Sequence, residues 1–249
     1  TCSEPEVALL PDHEPEADHR VFLDMQMQTI ATQPEFAGLA LINFWGDNYS
    51  DCERTRWMMA LLKHYVFEGQ TDLLSPRYGL KLRPGHLQNA SFRKGLEHWH
   101  VEGKVKPGKA PGVAAMLKRF NPPDGAENFV SFERGEQPNR LTQPLRNLTP
   151  GKRYKVRYVT SNPDGIGKDC SKLRLTLNVA GGAIDPASVI HMAQQPENPH
   201  GFQQANYDEA IFRAEKPEAI LELNDAAAQP GTRTALHYVS VMPYFEEAE

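Results

Sequence analysis

Two hydrophobic periodicities divide this chain. Between Pro15 and Thr32, the positions Val21, Phe22, Met25, Thr29 and Ile30 recur at the spacing of one helix face. Pro34 ends that segment, because proline lacks the amide donor and disfavours helix in the residue before it. The run Gly38-Leu-Ala-Leu-Ile-Asn-Phe44 then reads as a strand buried on both faces. A second helix follows. Ser50 and Glu53 have capping-box spacing, Trp57, Met58, Leu61, Leu62 and Tyr65 form its apolar stripe, and Gly69 stands where a left-handed cap belongs. One strand cannot bury itself on both faces, so this α-β-α piece predicts exposed apolar surface or covering elements from elsewhere.

Gln70 to Pro84, with Pro76, Gly79 and Pro84, reads as a linker or wrap-around segment. Beyond it the period drops to two. Tyr154, Val156 and Tyr158 alternate with Lys155 and Arg157, and Leu173, Leu175, Leu177 and Val179 alternate with Arg174, Thr176 and Asn178. Further strands are predicted at Trp99–Glu102, Val113–Lys118, Asn128–Glu133, Arg140–Leu145, Ala219–Leu223 and Ala235–Met242. Turn sequences separate them: Pro-Pro-Asp-Gly at 122–125, Thr-Pro-Gly at 149–151 and Asn-Pro-Asp-Gly at 162–165. Many short strands divided by such turns indicate a sandwich or barrel. Ile190 to Tyr207, rich in Gln, Asn and Pro, reads as a long solvated loop.

Composition narrows the classes. A net charge of −5 over 249 residues gives no electrostatic footprint for nucleic acid or an anionic membrane. The longest apolar run, Phe36 to Trp45, falls far short of the roughly 20 residues of a bilayer span. The 3 cysteines, Cys2, Cys52 and Cys170, make no CxxC pair and no zinc spacing, so thiols are expected. There is no nucleophile elbow and no phosphate-binding glycine loop, and no cofactor is expected.

The stretch Asn89-Ala-Ser-Phe-Arg-Lys-Gly-Leu-Glu-His-Trp99 resembles the opening of galactose-binding-like jelly rolls among carbohydrate-binding modules. His237-Tyr-Val-Ser-Val-Met-Pro-Tyr244 looks like their closing strand, and Leu148-Thr-Pro-Gly-Lys-Arg-Tyr154 like their proline-glycine-tyrosine turn. The first 80 residues resemble the last unit of a (β/α)8 barrel in glycoside-hydrolase-like proteins, through Pro34-Glu-Phe-Ala-Gly-Leu, Phe44-Trp45 and the segment from Arg56-Trp57 to Gly69. The resemblance implies a mainly β chain: a jelly-roll β-sandwich at 86–249, preceded at 1–80 by a short α-β-α segment from the end of a barrel. It implies a non-catalytic carbohydrate-binding or accessory module of a larger glycoside-hydrolase-like protein, extracellular or periplasmic, partnered by a glycan and by the remainder of a barrel or another chain. The alternatives are a fragment of an active glycoside hydrolase whose catalytic carboxylates lie mostly outside this chain, and a purely structural sandwich for protein contacts. Jelly rolls of this type often hold a structural calcium, but Arg93 and His237 stand at two of the ligand positions. Neither supplies the side-chain oxygen that calcium wants, and no metal is expected.

Candidate sugar-binding residues follow from aromatic stacking and planar hydrogen bonding. They are Trp45 and Asp47 near the end of the barrel-like strand, and Tyr158, His191, Gln203 and Tyr207 in the sandwich. Tyr244 and the amides of Gln194, Gln195, Asn198 and Asn206 are further candidates. Asp51 and Glu53 are explained by the helix start, and Glu4 and Glu6 are weaker carboxylate candidates. His98 and His100 are expected on one face of a strand, with Trp99 as a core plug on the other. The sequons at Asn48, Asn89 and Asn147 carry no further inference.

Overall fold

The computed structural model describes residues 14–38, 52–111, 126–164, 169–194 and 205–246. They fall into two compact units, one made chiefly of 17–84 with 244–246 and the other chiefly of 85–243 with 14–16.

In the first unit, helix α1 spans His19–Thr32 and α2 spans Cys52–Leu62. Asp18 caps α1, its carboxylate accepting from the Arg20 amide at 3.0 Å. The predicted apolar face of α1 is rotated from the one observed. Arg20, Val21, Asp24 and Met27 are buried, whereas Met25 and Thr29 are exposed. The reason is polar. Asp24 accepts from the Tyr65 hydroxyl at 2.6 Å, the Leu74 amide at 3.1 Å and the Ser75 amide at 2.6 Å, so a carboxylate occupies the inward face. These bonds also fold the expected wrap-around segment onto the helices, where Leu74 and Leu80 join Trp57, Leu61, Tyr65 and Phe245 in one core.

Helix α2 buries Trp57 and Leu61 as its stripe predicts, with Ala60 buried beside them and Met58 and Leu62 only half-buried, continues into a π turn at Lys63–Phe67 and meets Gly69 at φ +64°. Ser50 and most of the predicted strand Gly38–Phe44 lie outside the described residues. Glu53, expected to cap the helix, links it to α1 and to Phe245. Its Oε1 accepts from Arg20 Nη1 at 2.7 Å and from the Phe245 amide at 2.7 Å. Met25, Phe36, Met59, Val66 and Phe67 stay exposed.

The second unit is a jelly-roll-like β-sandwich of two antiparallel sheets. Its strands are β1 His100–Glu102, β2 Val105–Pro111, β3 Ala126–Glu133, β4 Arg140–Leu145, β5 Arg153–Ser161 and β6 Thr176–Ala180. Further on come β7 Gly182–Ile184, β8 Ile190–Gln194, β9 Ala205–Ala214, β10 Ala219–Asn224 and β11 Arg233–Pro243. One sheet runs β1-β4-β10-β6 and the other β2-β3-β11-β5-β9-β7, with β8 also on β9. Leu141, Leu145, Leu221 and Leu223 of the first sheet meet Val130, Phe132, Tyr154, Val156, Phe212 and Val241 of the second in a single core, with Phe92 and Trp99 in it. The Trp99 indole donates to the Asn89 carbonyl at 3.2 Å, fitting the predicted core plug.

Several elements depart from expectation. The predicted loop Ile190–Tyr207 begins and ends in strands, since Ile190–Gln194 pairs antiparallel with Ala205–Glu209. Strands β7 and β8 share β9 as partner and are parted by a single 3-10 turn at Pro186, whose missing amide interrupts a ladder. The strand predicted from Leu173 is ordered as strand only from Thr176. The His98–His100 pair does not share a strand face, because His98 is left-handed at φ +71° and the strand starts at His100. Val113–Lys118 lies outside the described residues.

Cys52 and Cys170 are thiols in no disulfide, the first exposed and the second buried. Burial, and then the charge of Asp169, pushes the Cys170 thiol up to about 12. The thiolate is the reactive form. A native-state dithiobis-nitrobenzoate assay near neutral pH is therefore expected to label Cys52, with Cys170 slower by about 100-fold or more until the sandwich is unfolded. Equal rates for the two would contradict this burial.

Candidate functional site

The inner face of the larger sheet changes character along its length. The antiparallel register of β5 and β9 pairs Tyr154 with Phe212, then Val156 with Ala210, then Tyr158 with Asp208, then Thr160 with Asn206. Because side chains alternate along a strand, all eight point to the same face. Core at one end thus becomes a buried polar cluster at the other. His191 of β8 pairs with Asp208 and joins the cluster from the far side.

The segment Cys170–Leu175 closes over it, held by side chains rather than a ladder. Asn206 Nδ2 donates to the Cys170 carbonyl at 2.8 Å and the Leu173 carbonyl at 2.9 Å. Thr160 Oγ1 donates to Leu173 O at 2.7 Å, and the Tyr158 hydroxyl to Leu175 O at 2.8 Å. Strand β6 starts at Thr176, opposite Asn224, the last residue of its partner β10.

Asp208 is the centre. It is 1% exposed, and its Oδ1 lies 2.5 Å from His191 Nδ1, which donates. The His191 side chain is 43% exposed, so the pair runs from interior to surface. Asp208 Oδ2 is buried and has no hydrogen-bond partner among the described residues, and the same holds for Arg174 Nε. Burial raises the Asp208 carboxyl above the ordinary range against the opposing pull of His191 and Arg174. Tyr158 is also raised, first by burial and then by the charge of Asp208. Among the described residues this is one buried carboxylate with imidazole, guanidinium and phenol around it, and no group of three or more metal-ligating side chains occurs.

Of the residues predicted for sugar binding, Tyr158 and His191 come together here. Tyr207 does not. As the neighbour of Asp208 on β9 it faces the opposite side, packed with Val159, Ala205 and Tyr238. Asn206 is committed to structural hydrogen bonds, and Tyr244 belongs to the helical unit, where its hydroxyl accepts from Arg56 at 2.8 Å. Trp45, Asp47, Asp51, Gln203, Gln195, Asn198, Glu4 and Glu6 lie outside the described residues. At the two calcium-like positions, exposed Arg93 stands 3.6 Å from Glu14, and buried His237 holds Ser161 Oγ at 2.6 Å. Asp208, Arg174 and Cys170 were not among the predicted site residues. The available signal was an acidic residue in phase with Ala210, Phe212 and Ala214.

No family model matches the chain, and no curated protein matches it. Among solved structures, the carbohydrate-binding module TmCBM61 in complex with beta-1,4-galactotriose is similar at 17% identity and a TM-score of 0.33, over 64% of this chain and 97% of that one. An arabinose-bound α-L-arabinofuranosidase, MgGH51, is similar at 14% identity and a TM-score of 0.38, over 63% of this chain and 26% of that one. The K1 cleaved adhesin domain of Lys-gingipain from Porphyromonas gingivalis W83 is similar at 13% identity and a TM-score of 0.33, over 58% of this chain and 89% of that one. Carbohydrate-binding and glycosidase proteins thus figure among the structural neighbours.

Proposed function

We propose that the sandwich is a non-catalytic carbohydrate-binding or accessory module of a larger glycoside-hydrolase-like protein, with its sugar site at the polar end around Asp208. The observation that carries this reading is the buried Asp208 Oδ2 without a donor, beside a half-exposed His191. Leaving a buried acceptor unsatisfied costs about 1–3 kcal/mol, a penalty that a ligand hydroxyl removes by donating to it. Vicinal sugar hydroxyls donate and accept in one plane. Asp208 Oδ2 can accept from one such hydroxyl, and the half-exposed imidazole bonded to Oδ1 has a second ring nitrogen to offer its neighbour. Segment 1–80 is read as the end of a barrel, and Trp45, Asp47 and Gln203 as further sugar contacts.

Calorimetry against a panel of soluble oligosaccharides tests the reading. At least one glycan is expected to bind, with Asp208→Asn weakening it about 10- to 100-fold while the fold persists. Because burial raises the Asp208 carboxyl, acidification should weaken binding at a higher pH than an ordinary aspartate would require. Full affinity in Asp208→Asn, or no binding across the panel, overturns it.

A further inference from the structure

A second recess lies elsewhere in the sandwich unit, where the segment entering at Gly85 runs beside the end of β4. His86, Gln88, His98, Gln143 and Arg146 line it together with Gly85, and its cavity volume is about 90 Å³. That is well below the roughly 300–1,000 Å³ of sites that enclose a small ligand, room for a single carboxylate group with the ring that bears it left outside.

Its floor is fixed. Buried Gln143 has both ends of its amide committed, Oε1 accepting from the Gln88 amide at 2.7 Å and Nε2 donating to the Gln88 carbonyl at 2.9 Å. The Arg146 amide donates to the His86 carbonyl at 3.1 Å, and His86 Nδ1 donates to the Arg146 carbonyl at 2.8 Å. His86 is held further by a T-shaped contact with Tyr154, 5.1 Å between ring centroids. The Arg146 backbone is therefore pinned at the rim while its side chain is exposed.

No carboxylate lines the recess. Arg146 has no ion-pair or side-chain hydrogen-bond partner among the described residues, so its planar fork of donors is uncommitted. His98 reaches the recess from a left-handed backbone at φ +71°, a conformation that costs a non-glycine residue about 1–3 kcal/mol. Its outer nitrogen is 3.1 Å from Glu97, the nearest acid, which Lys94 approaches at 3.8 Å. An unpaired guanidinium over a lining without carboxylates describes a receptor for a small planar anion, with the His98–Glu97 pair at its edge.

We propose that this recess binds the carboxylate of a single uronic-acid residue, Arg146 gripping it bidentately and His98 flanking it. That the carboxylate is borne by a sugar rests on the proposed function; that the recess takes a planar anion does not. The test is calorimetry and amide chemical-shift mapping on the whole chain with methyl galacturonate and methyl glucuronate. The matching neutral glycosides and inorganic phosphate form the comparison arms. A uronate is expected to bind at least tenfold tighter than its neutral parent and to shift the amides of Gln88, His98 and Arg146. The exposed substitution Arg146→Gln should weaken it at least tenfold, and Asp208→Asn should leave it within twofold. If neutral glycans fail to bind but the uronate binds in this Arg146-dependent way, the Asp208 reading falls and this one stands. Uronate affinity unchanged in Arg146→Gln, equal affinity for the neutral glycoside, phosphate binding without uronate binding, or no uronate binding overturns it.

Discussion

Substituting Arg20 by methionine should lower the hydrogen-exchange protection of α1 and α2 by about two to four orders of magnitude, a loss of about 3–5 kcal/mol. Arg20 lies in the helical core, 7% exposed, between two buried carboxylates. Its Nε and Nη2 donate to Asp18 at 2.9 and 2.6 Å, and its Nη1 donates to Glu53 at 2.7 Å. Its carbonyl also accepts from the Trp57 indole at 3.0 Å, so the backbone of the same residue anchors the largest ring of that core. Methionine fills similar volume but leaves Asp18 and Glu53 buried without their shared cation. Taking one partner out of a buried ion network costs far more than the network contributes net, because the surviving charges stay desolvated.

A milder substitution separates charge from hydrogen bonding. Glu53→Gln keeps an oxygen for Arg20 and for the Phe245 amide, which lies 2.7 Å away. It should cost clearly less than Arg20→Met, about 1–2 kcal/mol. Protection within threefold of wild type in Arg20→Met, or a larger loss in Glu53→Gln, would show that the network is not what holds these helices.

The same feature explains what the sequence hid. Reading apolar spacing alone turned α1 by part of a turn, because two of its inward residues, Arg20 and Asp24, are charged. The β5 strand was legible since Tyr154, Val156 and Tyr158 alternate cleanly with charge. Strand β9 has the same inner-face phase, but at the site end that face carries Asn206 and Asp208, so the apolar rhythm fails. Its first three residues were read as the end of a loop and the rest went unread. Local pattern and buried environment disagree at the polar end of the sandwich, which is where functional constraint is expected to override patterning. Tyr158 and His191 were found by residue type alone. Tyr207 was chosen by the same criterion, yet one step along the strand sends it to the opposite face.

The turn ahead of β5 shows the converse, a motif whose meaning the coordinates supply. In Leu148-Thr-Pro-Gly-Lys-Arg-Tyr154, the tyrosine closes its own turn, its hydroxyl accepting from the Thr149 amide at 2.7 Å. Gly151 takes φ +84°, which a side chain would strain. The ring of Tyr154 stacks on Phe212 at 5.6 Å and 25° and meets His86 in a T-shaped contact. Two separable contributions follow. Tyr154→Phe keeps the stack but leaves the Thr149 amide without its acceptor, costing about 1–2 kcal/mol. Tyr154→Ala also opens a cavity in the middle of the sandwich core and should cost about 3–5 kcal/mol in urea unfolding followed through the sandwich. Similar losses in both variants would assign the residue's contribution to the hydroxyl. A loss below about 1 kcal/mol in Tyr154→Ala would mean that the core closes over the missing ring, against the close packing of Tyr154 with Phe212.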